Sequence, residues 1–287
     1  MLSNRNLDSL ILNSEWAIEE SFARKEINLY LSYLDLIEKG VALSDLQLHN
    51  TKQQQKPYII GSSGTSHDLR ASNVDRKSIA IINLFGTMRV DGNWCSYGIR
   101  DTADWIEQSN ANPKIGGILI VANSGGGEVA AGHMLLSAIR DTRKPIVVHA
   151  ETLASAAVHG TLAATEIVAA NDGSRIGSIG VFASISKKAL KFYEENITDI
   201  YSSKSSQKNE EWRALLAGDP SLIVRDLDKT AEIFQSDVIK FRPEVAKSQE
   251  ALAGKLFFAQ EAKGIGLVNS VGSRKHALNR LRWHINQ

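Results

Sequence analysis

Three short segments hold residue types whose spacing suits acyl-transfer chemistry. The first is Asn123-Ser124-Gly125-Gly126-Gly127-Glu128-Val129, set between an apolar run and a helical pattern. Three consecutive glycines let the backbone turn sharply and approach a ligand with no Cβ in the way. At the end of a parallel strand their amides suit a phosphate, or the oxyanion of an acyl-transfer transition state. The same residues also suit a plain strand-to-helix turn. No Gly-Lys-Ser/Thr follows, which excludes the nucleotide P-loop, and the glycine spacing is not that of the dinucleotide fingerprint. The second segment is Leu153-Ala154-Ser155-Ala156-Ala157. Ser155 there is either a helix N-cap or an exposed nucleophile. Its small neighbours leave room for a carbonyl, and the helix amides beyond it would favour developing negative charge. The third, Ser174-Arg175-Ile176-Gly177-Ser178-Ile179-Gly180-Val181, taken alone is a Gly-punctuated buried strand.

The elements around these segments alternate. Apolar runs at 79–84, 117–122, 146–150 and 166–169 read as buried strands, and 100–111, 128–141 and 155–164 read as helices. Short apolar strands alternating with helices predict an α/β fold: stacked βαβ units with a mostly parallel sheet covered on both faces. Ahead of this core, Ile18, Phe22, Ile27, Tyr30, Leu34 and Ile37 recur at helical spacing, so residues 1–50 are expected to be a helical N-terminal segment. Residues 51–78, rich in Gln, Ser, Gly and Lys, read as a linker or mobile loop, leaving 79–287 as the catalytic domain.

Bulk properties narrow the functional classes. A net charge of +1 across 287 residues gives no electrostatic footprint for nucleic acid. The lone Cys95 rules out an internal disulfide and suits a reducing compartment. No apolar run reaches membrane-spanning length and the first 20 residues lack an export signal, so a cytoplasmic protein with no membrane contact is expected.

The order of the three segments, with the tail Gly254-Lys255-Leu256-Phe257-Phe258-Ala259 and Gly266-Leu267-Val268, resembles the signal peptide peptidase A family of serine peptidases, within the Clp-protease/crotonase-like superfamily. The resemblance includes the phage head-maturation branch and runs from about Ile79 to Gly272. It implies Ser155 as nucleophile and the amides of Gly126, Gly127 and Ala156 as the oxyanion hole. Two departures stand out: Gly125 replaces the family's usual proline, and Val158 and His159 replace frequent aromatics.

A serine needs a base. His149 lies in an apolar strand and His159 one helical turn beyond Ser155, and the Gly177–Val181 segment, where the Clp-type histidine would fall, has none. The family instead uses a lysine further along, which serves once burial populates its neutral amine. Lys204 and Lys208 compete, and the phage-like Ser-Ser-x-x-Ser/Pro-x-Lys spacing favours Lys208. The resemblance therefore implies a cofactor-free, metal-free Ser/Lys endopeptidase acting on protein or peptide substrates, capsid and scaffold proteins among them, and working as a homo-oligomer in the host cytoplasm or procapsid. Competing readings are a cytosolic housekeeping peptidase, a crotonase-like acyl-CoA enzyme, and a non-catalytic shell or scaffold component.

Overall fold

The near-continuous apolar runs of the central strands require cover on both faces, and the fold supplies it. The structure is a computed structural model that describes residues 16–19, 22, 24, 39 and 55–287, apart from 62, 63, 72 and 93–95. Strands β4 (Ser78–Phe85), β5 (Ile115–Ser124) and β7 (Ile146–Ala154) lie side by side in parallel. On β4, Ile79 and Ile81 belong to one core while Ala80 and Ile82 belong to the other, as the two-residue period of a strand demands. Helices α1 (Ile99–Ala111) and α2 (Val129–Arg140) cover the second of these faces. So do α3 (Ala156–Thr161) and the Phe234–Val238 stretch of a long helix near the C-terminal end. The first face is covered by a C-terminal helix, Arg274–Ile285, through Ala277 and Leu281. That helix comes close because β5 carries Gly116 and Gly117 beneath it: a Cβ on Gly117 would lie 2.8 Å from Leu281 Cδ1.

On the edge away from β5, strand β7 has two successive partners. Val147–Ala150 pair with β8 (Glu166–Ala169), and Thr152–Ala154 pair with β9 (Arg175–Gly177), both in parallel. The change of partner falls at Glu151, where the β5–β7 register also slips between Ala122 and Asn123. Such a bulge re-aims the strand ends beyond it. It brings Ser124 opposite Leu153, and so sets the glycine loop beside the turn that carries Ser155.

After β9 the chain runs through α4 (Lys187–Asn196), α5 (Glu210–Leu216) and the long helix, α6 (Ser221–Phe241). A 3-10 turn and α7 (Gln249–Leu252) lead to β10 (Leu256–Phe258), antiparallel to β9. Then α8 (Ala259–Gly264), β11 (Ser270–Val271), parallel to β8, and α9 (Arg274–Ile285) close the fold. The α/β architecture expected from the strand–helix alternation is the one observed.

Two expectations need correction. Residues 51–78 are not simply a linker or loop. They contain β2 (Tyr58–Ile60), antiparallel to β4, and β3 (Ser66–Asp68), antiparallel to β2. Ile59 is fully buried and Leu69 and Val74 join the same core, so this polar stretch extends the main sheet through a few apolar anchors. Within the expected N-terminal helix, Trp16–Ile18 form a strand, β1, while Phe22 and Arg24 are helical. The remainder of that expected helix lies outside the described residues, apart from Glu19, which is in neither helix nor strand, and Lys39 in a turn.

Candidate active site

The glycine loop is built as a small strand. β6 (Gly126–Glu128) follows β5 after the single residue Gly125. The Ser124 hydroxyl donates to Gly86 O at 2.6 Å and accepts from the Gly126 amide at 3.2 Å, tying the turn. Met88 then pins one edge of β6: its amide donates to Gly126 O at 2.8 Å, and its carbonyl accepts from the Glu128 amide at 2.9 Å. A Cβ on Gly127 would sit 1.9 Å from Met88 O, so only glycine fits there. Because successive residues of a strand aim their polar groups at opposite edges, the Gly127 amide points away from Met88.

Ser155 occupies the turn between β7 and α3 with φ 55° and ψ −121°. A non-glycine residue at positive φ is uncommon, and such strain collects at functional turns, at a cost of about 1–3 kcal/mol. The arrangement is that of a nucleophile elbow, in which a strained strand-to-helix turn presents a serine at the end of a sheet. Its amide donates to Gly177 O at 2.8 Å, its hydroxyl donates to Gly180 O at 3.3 Å, and its carbonyl accepts from the His159 amide at 3.0 Å. Ser155 is 1% exposed. Helix α3 packs against both β6 and α2, where a Cβ on Gly132 would lie 3.2 Å from Ala156 O. Ser155, Gly126, Gly127 and Ala156 therefore share one corner of the fold.

Neither candidate lysine hydrogen-bonds Ser155. Lys208 and Lys204 are both exposed, in the turns ahead of α5, while the Ser155 hydroxyl bonds Gly180. Neither His159 nor His149 turns its Nε2 to Ser155. His159 turns its Nε2 to Asp237 Oδ2 at 2.8 Å, and His149 Nε2 bonds Gly272 O at 3.2 Å. Burial holds both imidazoles below the ordinary histidine range; Asp237 and the Gly272 carbonyl respectively oppose this.

Sequence reasoning missed the setting of His159. Its ring stacks on Phe234 at 4.5 Å and meets His133 edge-on at 4.5 Å. His133, His159 and Asp237 offer one ligand atom each within 4.8 Å of one another, a geometry open to a metal ion. The three residues come from α2, α3 and α6, and their distance in sequence hides the cluster. Also missed was Glu166, which accepts from Arg280 Nε at 2.9 Å and from His284 Nε2 at 2.8 Å, joining β8 to α9.

A buried serine on a strained turn at the end of a parallel sheet, beside glycine amides, is an arrangement that suits hydrolase chemistry on an α/β fold. The profile of peptidase family S49 matches residues 138–287, more than half of the chain, and the chain belongs to that family. A candidate protease of Methanocaldococcus jannaschii is 26% identical over 181 residues, which cover 61% of this chain and 58% of that protein's length. Among solved structures, a ClpP1 variant of Listeria monocytogenes matches with 15% identity, covering 69% of this chain and 94% of that one, at a TM-score of 0.45. A variant of the 1510-N membrane-bound stomatin-specific protease matches with 13% identity, covering 72% and 85%, at a TM-score of 0.46. An enoyl-CoA hydratase/carnithine racemase of Magnetospirillum magneticum matches with 12% identity, covering 74% and 72%, at 0.43. Among the described residues, no helix is long and apolar enough to cross a membrane.

Proposed function

We propose that the chain is a serine endopeptidase with Ser155 as nucleophile and Lys208 as general base, serving phage or prophage capsid assembly. The observation that best supports it is the strained turn of Ser155, tied to Gly177 and set beside the Gly126–Gly127 strand. The neutral amine of Lys208 takes the Ser155 proton as Oγ attacks a peptide carbonyl. The oxyanion is held by the amides of Gly127 and Ala156, with Gly126 alongside. As the tetrahedral intermediate collapses, the C–N bond breaks and the lysine proton passes to the leaving amine. Water, deprotonated by the same lysine, then attacks the acyl-enzyme; the Ser155 ester bond breaks, and the returning proton restores the hydroxyl.

Because Lys208 is exposed in the single chain, the working unit in this reading is a homo-oligomer in which Lys208 meets the Ser155 of a neighbouring copy. The segment leading to it favours coverage: Phe192 is 61% and Ile200 94% exposed, and Phe182 and Ile197 are exposed too. The capsid-assembly role rests on the phage-like Ser202-to-Lys208 spacing and is tested by searching the neighbouring genes for capsid and scaffold proteins; their absence would remove this role. The peptidase reading itself is tested by a serine-reactive fluorophosphonate. Labelling at Ser155, lost together with peptide cleavage in a folded Ser155→Ala protein, is the expected result; unchanged cleavage by that variant would sink the assignment.

A further inference from the structure

The edge of β6 that faces away from Met88 is occupied. Strand β1 pairs with it antiparallel, Ala17 opposite Gly127 and Ile18 opposite Gly126, and the Glu19 amide donates to Gly125 O at 2.6 Å. The alternation of a β-ladder makes residues 125 and 127 the ones bonded across this edge, since Gly126 O and the Glu128 amide are spent on Met88. The Gly127 amide, one of the two principal oxyanion donors, is thus directed at the backbone of Ala17.

Two further contacts hold the strand in place. Ile18 is buried, and β1 packs against α3, the helix that Ser155 opens. Phe22 lies over Gly125: a Cβ there would stand 2.4 Å from the aromatic ring. Any side chain at position 125, proline included, would evict that ring. The bare glycine loop noted in the sequence is what admits Phe22.

Taking Ser155 as the nucleophile, the reading proposed above, we infer that β1, held in place with Glu19 and Phe22, is a built-in inhibitory strand. The strand occupies the sheet edge and the amide that a peptide substrate needs, and must leave before catalysis. A strand added to an open edge is bound mainly by main-chain hydrogen bonds, so the enzyme's own N-terminal segment and an extended substrate compete for the same groups. Nothing covalent is required; displacement is a shift between two conformations, and the substrate or assembly contact that favours the open one activates the enzyme.

The test uses full-length protein carrying Ala17→Pro, Phe22→Ala, or both. Proline at 17 removes the amide that faces Gly127 O. Two quantities are followed: amide hydrogen exchange in residues 125–128, and the rate of fluorophosphonate labelling at Ser155. The expected outcome is faster exchange in 125–128 together with at least tenfold faster labelling. A synthetic peptide of residues 14–24 added to the double variant should restore slow labelling, and its Phe22→Ala version should do so less well. Faster exchange with unchanged labelling overturns the inhibitory role, and unchanged exchange overturns the pairing itself. The two readings fail separately: label that persists when Ser155→Ala is added to the double variant refutes the nucleophile, whereas label that is confined to Ser155 but insensitive to the strand refutes only the inhibition.

Discussion

Ser155 and Gly177 are joined backbone to backbone, the Ser155 amide donating to the Gly177 carbonyl at 2.8 Å, and both residues have positive φ. The two turns brace each other: β9 holds the Ser155 turn, and β10 holds β9, with the Ser178 amide donating to Lys255 O at 3.0 Å.

That bracing makes Ser155→Gly and Gly177→Ala opposite in sign for stability. Glycine at 155 relieves the strained φ, and after its extra chain entropy is subtracted the gain should be about 1 kcal/mol. Alanine at 177 would put a Cβ 2.5 Å from Lys255 O at a φ of 130°, and should destabilise by about 2–4 kcal/mol through backbone strain and clash. Both variants should lack peptidase activity. Thermal unfolding checks the pair, and a Ser155→Gly midpoint at or below that of the parent would show that the turn stores no strain.

The central strands were legible in the sequence because each is a continuous apolar run, as at Ile79–Leu84, and the glycine loop and Ser155 because their residue types are distinctive where they stand. Strands β1, β2 and β3 were not legible. Each is three residues long, too short for a two-residue period to register, and β2 is held in the sheet by the single fully buried Ile59. The bulge at Glu151, which aligns Ser124 with Leu153, has no residue signature at all. Ion pairs such as Glu166–Arg280 join residues more than 100 positions apart, and only the folded chain reveals them.

Acid should weaken the fold in two windows. Burial holds His159 and His149 below their ordinary range, so as pH falls below about 6.5 the unfolded chain takes up protons first and stability declines. The Arg280 guanidinium, with His284, holds the Glu166 carboxyl below the usual range against the opposing effect of burial. Its contribution is full above about pH 4.5 and is lost as pH falls through the lower folded value. Thermal midpoints measured from pH 8 down to about pH 2 should show both declines. His159→Gln, which can still donate to Asp237, should flatten the first, and Glu166→Gln the second. Arg280→Ala, which strips the buried carboxylate of its main partner, should cost about 2 kcal/mol at neutral pH. A profile that His159→Gln and Glu166→Gln leave unchanged would place the titration elsewhere.

If a lysine is the general base, peptide cleavage should rise with pH into the alkaline range, as the neutral amine becomes populated. Lys208→Ala should lower kcat/KM by several orders of magnitude, and Lys204→Ala by less than tenfold. The reverse ranking would move the role to Lys204. A rate limb near the ordinary histidine range that disappears in His159→Gln would replace the dyad altogether.

The last expectation concerns where the two halves of the site come from. In the single chain the Ser155 hydroxyl bonds Gly180, while Lys208 stands in an exposed turn beyond a segment that leaves Phe192 and Ile200 in solvent. A head-to-tail ring would answer both features: each copy covers its neighbour's apolar segment, gives one lysine and receives another. Such coverage would also desolvate the amine, which a lysine base requires. Mixing Ser155→Ala with Lys208→Ala protein, each inactive alone, should then restore activity once subunits exchange. In a random equimolar mixture, roughly a quarter of the interfaces join an intact Ser155 to an intact Lys208 by the statistics of a closed ring with one repeated interface. Exchange is checked independently by energy transfer between differently labelled copies. Exchange with restored cleavage establishes the shared site, and exchange with none places serine and base in one chain.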